Sequence, residues 1–288
     1  MPPAPIAVFT SDFPDPSVIR VGDVFYAYGT ATSWELPGHF FPILTSRDLV
    51  RWTPAGDVLG TLPVWAARGF WAPSVLAHNG TYFVYYSAQM SGGDHCVAVA
   101  TARKPTGPFT DRGPLACDDG ADAHGFIDPA PLLVGDRAFL YFSVDGPTHH
   151  SISAFPLTRD LLHVAGPRVE LFGVSQEWEF QGMGTVEGPS VFRWGRSYVL
   201  LYSGGDWRSG YGMGWATAAS PLGPFSKQPG PFLHETGPLT GPGGGAYFTD
   251  AAGRPHLAFH ARTGTARELH IASLKVTNST GGPQLTVG

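Results

Sequence analysis

The chain has 288 residues, 18 Lys plus Arg against 23 Asp plus Glu, a net charge of -5 and only 14% charged residues. It offers no basic stripe for nucleic acid and no acidic run of the kind that marks a disordered tail. No 18-residue apolar segment could span a membrane as a helix, and glycine (38) and proline (27) are abundant, as in a turn-dense all-β chain.

Taken in chain order, short strands recur in a fixed pattern. Asp15-Pro16-Ser17-Val18 leads to a turn at Gly22, then to Phe25–Tyr28 and Pro42–Ser46. Ala72-Pro73-Ser74-Val75 leads to Gly80, Tyr82–Tyr86 and Val97–Thr101. Asp128-Pro129-Ala130-Pro131 leads to Gly135, Phe139–Phe142 and Ile152–Phe155. Gly188-Pro189-Ser190-Val191 leads to Gly195, Tyr198–Tyr202 and Met213–Thr217. A weaker copy, Gly241-Pro242-Gly243, leads to Gly253, His256–His260 and Leu269–Ser273. Alternating apolar and aromatic residues describe half-buried strands, and the glycines supply the positive φ of tight hairpins. A fourth, outer strand is expected around Arg51-Trp52, Phe109-Thr110 and Phe225-Ser226. The repeat prolines fall at 16, 73, 129, 189 and 242, in steps of 57, 56, 60 and 53. A strand repeat of that length predicts an all-β fold, a five-bladed β-propeller, with residues 1–288 as a single domain.

Met1-Pro2-Pro3-Ala4-Pro5 lacks the basic and apolar regions of a signal peptide, so the expected location is outside the cell if a leader was removed and cytoplasmic otherwise. Cys96 and Cys117 both lie in the second repeat and fit either a bridge or two thiols. A monomer is expected, with no nucleic-acid or membrane partner.

The carboxylates carry the chemistry. Asp15 and Asp128 stand before the repeat proline in units one and three, and Glu187 stands one residue earlier in unit four. Each alone reads as an ordinary turn or loop residue. Together they do not, because Ala72 and Gly241 at the matching positions show that the turn needs no acid. Blades converge on one axis, so the three side chains are expected at one mouth of the channel, where they shift each other's pKa. Three acids without a histidine–cysteine cluster or a phosphate loop suit glycoside hydrolysis, in which one acid stays protonated and one carboxylate acts on the other face of the sugar. Trp71, Phe126, Trp207 and Tyr211 flank the motifs as sugar-stacking candidates, each with an equally good reading as core.

Phe13–Arg20, Phe70–Val75, Phe126–Pro131 and Val186–Ser190 resemble, in order and spacing, the blade motifs of glycoside hydrolase family 43. The resemblance runs from about Phe13 to Val276 and implies a five-bladed inverting hydrolase of α-L-arabinofuranosides, β-D-xylosides and related plant-polysaccharide linkages. It implies Asp15 as general base, Asp128 as pKa modulator and orienter, Glu187 as general acid and Trp71 as part of the sugar-binding wall. Arg267 resembles an arginine that some members point at the sugar, with Arg262 a neighbour of equal claim. Many members read Gly-Pro-Gly-His in blade five, where the histidine helps hold a metal ion. Here Gly244 stands in its place. No cofactor is therefore expected to be required, a weakly held channel calcium being the alternative, and His260 reads first as a core residue and second as a substitute ligand. The expected substrate is an oligosaccharide or glycoside, and the expected activity that of an exo-acting α-L-arabinofuranosidase. The long segments Thr32–Phe41 and Ser175–Gly184 would wall off one side of the mouth. The alternatives are a β-xylosidase or endo-arabinanase of the same family, a non-catalytic carbohydrate-binding propeller, a protein-interaction propeller, and the retaining fructoside propellers, which usually read Glu-Cys where this chain has Glu187-Gly188.

Overall fold

A computed structural model describes residues 6–30, 40–118, 125–147, 149–279 and 282–288. Strand β1 (Ala7–Phe9) comes first and joins the last blade. Blade one is β2 (Ser17–Val21), β3 (Val24–Tyr28), β4 (Phe40–Ser46) and β5 (Thr53–Leu59). Blade two is β6 (Ala66–His78), β7 (Thr81–Met90), β8 (His95–Ala102) and β9 (Thr110–Cys117). Blade three is β10 (Phe126–Val134), β11 (Arg137–Asp145), β12 (His150–Leu157) and β13 (Val169–Gly173). Blade four is β14 (Thr185–Trp194), β15 (Ser197–Asp206), β16 (Ser209–Ala218) and β17 (Ser226–Lys227). Blade five is β18 (Thr240–Thr249), β19 (Pro255–Arg262) and β20 (Glu268–Ser279), with β21 (Gly282–Val287) also paired to β20.

This is the five-bladed β-propeller that the repeat predicts. Its closure was not legible in the repeat. Strand β1 pairs antiparallel with β20, Ala7 opposite His270 and Phe9 opposite Leu269, so the start of the chain supplies the outer strand of the last blade. That pairing ties the first blade to the fifth and leaves no gap in the ring.

The apolar residues of the second and third strands fill the spaces between blades. Tyr28 and Ile43 of blade one pack with Val84, Tyr86 and Ala98 of blade two, and Tyr85 and Val99 of blade two with Leu140 and Phe142 of blade three. Burying an aromatic of this kind contributes about 2 kcal/mol each, and the phenols remain satisfied: Tyr28 donates to the Pro105 carbonyl and Tyr141 to the Pro221 carbonyl, both at 2.6 Å.

One reading of the fifth repeat is corrected. Asp15, Ala72, Asp128 and Gly188 all adopt left-handed backbone, with φ of 53, 48, 55 and 61°. The N–H of each of the last three donates to a hydroxyl of the preceding blade: Ala72 to Thr30 (2.8 Å), Asp128 to Ser87 (2.9 Å) and Gly188 to Ser143 (3.1 Å). In blade five the residue that makes this bond, to Ser203 at 2.9 Å, is Gly244, not Gly241. A second inter-blade bond agrees, since Val75 N–H donates to Ser17 and Tyr247 N–H to Ser190, each at 3.1 Å. Gly244-Gly245 therefore occupies the Asp15-Pro16 position. The proline signature misled because blade five has lost that proline and kept one three residues earlier.

Cys96 and Cys117 lie opposite each other on β8 and β9 and are disulfide-bonded. Closing a loop of 21-residue separation stabilises a fold by about 3 kcal/mol in the chain-entropy account. Cys96→Ser/Cys117→Ser is expected to melt about 5–10 °C below the parent protein, and scanning calorimetry with and without reductant checks this.

Candidate active site

The starts of the five innermost strands line one cavity of about 620 Å³, the size of a small-ligand pocket. Asp15, Asp128 and Glu187 all face it, as do Trp71, Trp207, Tyr211, His260 and Arg267. The left-handed backbone at Asp15 and Asp128 brings their side chains to the cavity. Such a conformation costs a non-glycine residue about 1–2 kcal/mol, and aspartate is among the residues that visit it most readily.

Asp15 is held at both ends. Its Oδ2 accepts the Thr30 hydroxyl at 2.8 Å, and its backbone N–H donates to His260 Nδ1 at 3.2 Å. Burial raises its pKa, but the side chain keeps 23% of its surface open to the cavity. The Arg267 charge and the Thr30 hydroxyl stabilise the ionised form and hold the carboxyl below its usual range, while burial lowers the pKa of His260 and keeps that imidazole neutral.

Asp128 Oδ2 accepts the Gly188 N–H at 2.9 Å and the Ser143 hydroxyl at 3.1 Å. Glu187 Oε1 accepts the Tyr211 hydroxyl at 2.6 Å. Burial first and the Asp15 charge next push Asp128 up to about 7, while burial and the Asp128 charge push Glu187 up to about 8. These two shifts compete, because a proton on either acid relieves the other. Asp128 has two donors to stabilise its charge and Glu187 has one, so the shared proton belongs on Glu187. Within this trio Asp15 and Asp128 are thus the carboxylates and Glu187 the carboxylic acid, with Asp145 and Asp206 also on the cavity wall.

The flanking residues divide. Trp71 lines the cavity with its ring stacked on His95, centroids 4.2 Å apart. Trp207 stands at the rim, 41% exposed, with Arg208, Arg262 and Arg267 each 5.4–5.5 Å from its ring. Of the two candidate arginines, Arg267 lines the cavity, while Arg262 donates to the Trp207 carbonyl at 2.8 Å. Phe126 is corrected: it is 5% exposed, packed against Phe142 and Phe155 in the core and absent from the cavity wall. Its position two residues before Asp128 at the start of β10 suggested the site, but the ring turns inward between blades.

Of the two wall segments, Thr32–Phe41 falls outside the described residues except for its last two. The other is built around a short 3-10 turn, Glu177–Phe180. Glu179 there is fully buried and takes Lys227 Nζ at 2.7 Å on both oxygens, the Tyr202 hydroxyl at 2.7 Å, and the N–H groups of Ser175 and Gln176. Of the Ser175–Gly184 segment, Met183 lines the cavity.

Several lining residues were not anticipated. His150 lies 3.3 Å from both Asp145 and Thr185 on the wall of blades three and four. Thr30 also lines the cavity, and the hydroxyls of the inter-blade bonds had a findable signal: Thr30, Ser87, Ser143 and Ser203 each follow the left-handed residue of their own blade by fifteen positions. His260, first read as core, is buried and also part of the site.

Among the described residues no three His, Cys, Asp or Glu side chains converge to hold a metal. Gly244 brings no side chain; of the His260 ring nitrogens, Nδ1 accepts the Asp15 N–H and the buried Nε2 has no protein hydrogen-bond partner.

The comparisons with known proteins agree with this geometry. The model of the family "Glycosyl hydrolases family 43" matches residues 4–280. The chain is 28% identical to a beta-D-galactofuranosidase, xynD, of Aspergillus niger, over 93% of this chain and 79% of that protein. It is 27% identical to the extracellular exo-alpha-(1->5)-L-arabinofuranosidase ArbA of Cellvibrio japonicus, over 93% of this chain and 83% of that one. The crystal structure of a thermostable family-43 glycoside hydrolase superposes with a TM-score of 0.85 at 28% identity, covering 96% of this chain and 93% of that one. With a matching family model over nearly its whole length, a five-bladed ring and three carboxylates on one cavity, the chain belongs to glycosyl hydrolases family 43 and is a glycoside hydrolase.

Proposed function

We propose that this hydrolase removes terminal α-L-arabinofuranosyl residues with inversion at the anomeric carbon. Asp15, ionised, activates the water. Glu187, protonated, gives its proton to the leaving oxygen, and Asp128 orients Glu187 and keeps its proton in place. The observation that carries this reading is the convergence of Asp15, Asp128 and Glu187 on one cavity, with Asp15 taking the Thr30 hydroxyl and Glu187 the Tyr211 hydroxyl; the directions of their pKa shifts, Asp15 down and Glu187 up, support it. Met183, from the Ser175–Gly184 segment, stands on one side of the cavity and supports a pocket, which admits only a chain end. Trp71 and Arg267 are the proposed sugar contacts inside it, and Trp207 the contact at its rim.

Proton NMR of the first-formed sugar tests the stereochemistry, and a retained anomer sinks the assignment of Asp15 as base. A screen of nitrophenyl glycosides tests the sugar, with β-D-galactofuranoside included because the xynD relative carries that name. A linear arabino-oligosaccharide is expected to release monosaccharide from the first minutes, whereas mixed di- and trisaccharides would indicate an endo-acting cleft.

No step of this mechanism passes through a metal. Chelator treatment is expected to leave the rate within a factor of about two, against a loss of ten-fold or more for a needed ion. The disulfide further supports maturation in an oxidising compartment. No helix among the described residues is long and apolar enough to cross a membrane.

A further inference from the structure

The bonds that lock the left-handed residues form a ring of five, and its fifth member is unlike the rest. Thr30, Ser87, Ser143 and Ser203 each present a buried hydroxyl to the N–H of the next blade's left-handed residue. The bond that closes the ring, from blade five back to Asp15, is made instead by an imidazole, His260, sixteen positions after Gly244 and 1% exposed. Thr30 and Ser143 do two jobs, since each also donates its proton to the carboxylate of its own blade, Asp15 or Asp128. Blade five has no carboxylate to serve at Gly244. An atom that only accepts is sufficient there, and a neutral imidazole Nδ1 is such an atom.

The glycine makes the histidine possible. A Cβ at Gly244 would lie 2.7 Å from His260 Nδ1, 2.8 Å from its Cε1 and 2.6 Å from Asp15 Oδ1, all inside van der Waals contact. The flanking glycines are used in the same way: a Cβ at Gly243 would fall within the Tyr211 ring, and one at Gly245 would lie 2.7 Å from the Met213 methyl. The His260 and Tyr211 rings stack nearly parallel, 15° apart with centroids at 6.0 Å, and Tyr211 holds Glu187. The bare strand of blade five thus gives room to one side chain beside the proposed base and another beside the proposed acid.

We propose that His260 is the positioning residue of Asp15, fixing its backbone and hence its carboxylate toward the attacking water, and that Gly244 is required to seat it. This rests on Asp15 being the base. Without the acceptor, the N–H of Asp15 is left unpaired in a left-handed conformation and the carboxylate loses its aim. Misplacement by about 1 Å costs a reaction about 100-fold.

The test compares His260→Asn, whose Oδ1 replaces Nδ1 as acceptor, with His260→Leu, which fills the space without one. Kinetics are measured on aryl glycosides with good and poor leaving groups, with melting curves recorded for each variant. His260→Leu is expected to lose about 100-fold in kcat with little change in KM, by the same factor on both substrates, because every substrate needs the water. His260→Asn is expected to stay within about five-fold of the parent, and Gly244→Ala to fall about 100-fold as His260→Leu does. If His260→Leu does not fold, the contrast between His260→Asn and Gly244→Ala decides. A His260→Leu variant with parental kcat, a His260→Asn variant that falls as far as leucine, or a loss confined to poor leaving groups overturns the proposal. Asp15→Asn runs alongside: if it stays active, the base assignment itself has failed; if it is dead while His260→Leu is not, only the positioning role has.

Discussion

Asp15→Asn is expected to lose about 1000-fold or more in kcat on every substrate, while Glu187→Gln loses a comparable factor only where the leaving group is poor. The split follows from what each acid does. Water must be activated whatever leaves, so removing the ionised carboxylate at Asp15 damages alkyl glycosides, oligosaccharides and activated aryl glycosides alike. A dinitrophenolate leaves without a proton, so Glu187→Gln should cost less than about ten-fold on that glycoside. The measurement is kcat across aryl glycosides of graded leaving-group pKa, with a steep dependence for the Glu187 variant and an unchanged one for the Asp15 variant. Equal losses for Glu187→Gln on good and poor leaving groups would remove it from the acid's role.

The pH dependence gives the second large effect. Glu187 works while protonated, and its pKa is pushed up to about 8, so kcat/KM is expected to fall as pH rises through that value. The Tyr211 hydroxyl favours ionised Glu187, so Tyr211→Phe should move the alkaline limb to higher pH. A limb that moves down, or does not move, would separate Tyr211 from the titration. The same shift has a stability consequence. The folded pKa of Glu187 is raised above its unfolded value of about 4.3. The stability it contributes is therefore complete below about pH 4 and is lost as pH rises toward 8. Glu187→Gln is neutral throughout and escapes that loss. It is expected to be clearly more stable than the parent at pH 8 and little different at pH 4, as denaturant titrations at the two values would show. A variant at once less active and more stable is what a strained, functional acid predicts.

Blade count, strand pattern and the three acids were legible in the chain because they rest on local chemistry at a regular interval. A turn residue before the repeat proline, a glycine turn and an alternating strand are each read within about ten residues. Repetition then carries the equivalent positions Asp15 and Asp128 to one axis, with Glu187 beside them. Phe126 shows where this reasoning stops. Its place in the motif fixes its strand, but whether its ring enters the cavity or the space between blades depends on Phe142 and Phe155. Trp71 begins from a similar place and does line the cavity.

The sequence by itself therefore determined the five-bladed propeller and the candidate acids, since periodic local structure dictates both. The tertiary structure alone decided the register of blade five, the closure by β1, the Cys96–Cys117 bridge and the partners that set each acid's protonation. Those partners come from other blades: Asp15 meets His260 across 245 positions, and Gly188 meets Asp128 across 60. Such pairings form only when the ring closes, because their geometry belongs to the packing of one blade on the next and not to any stretch of chain.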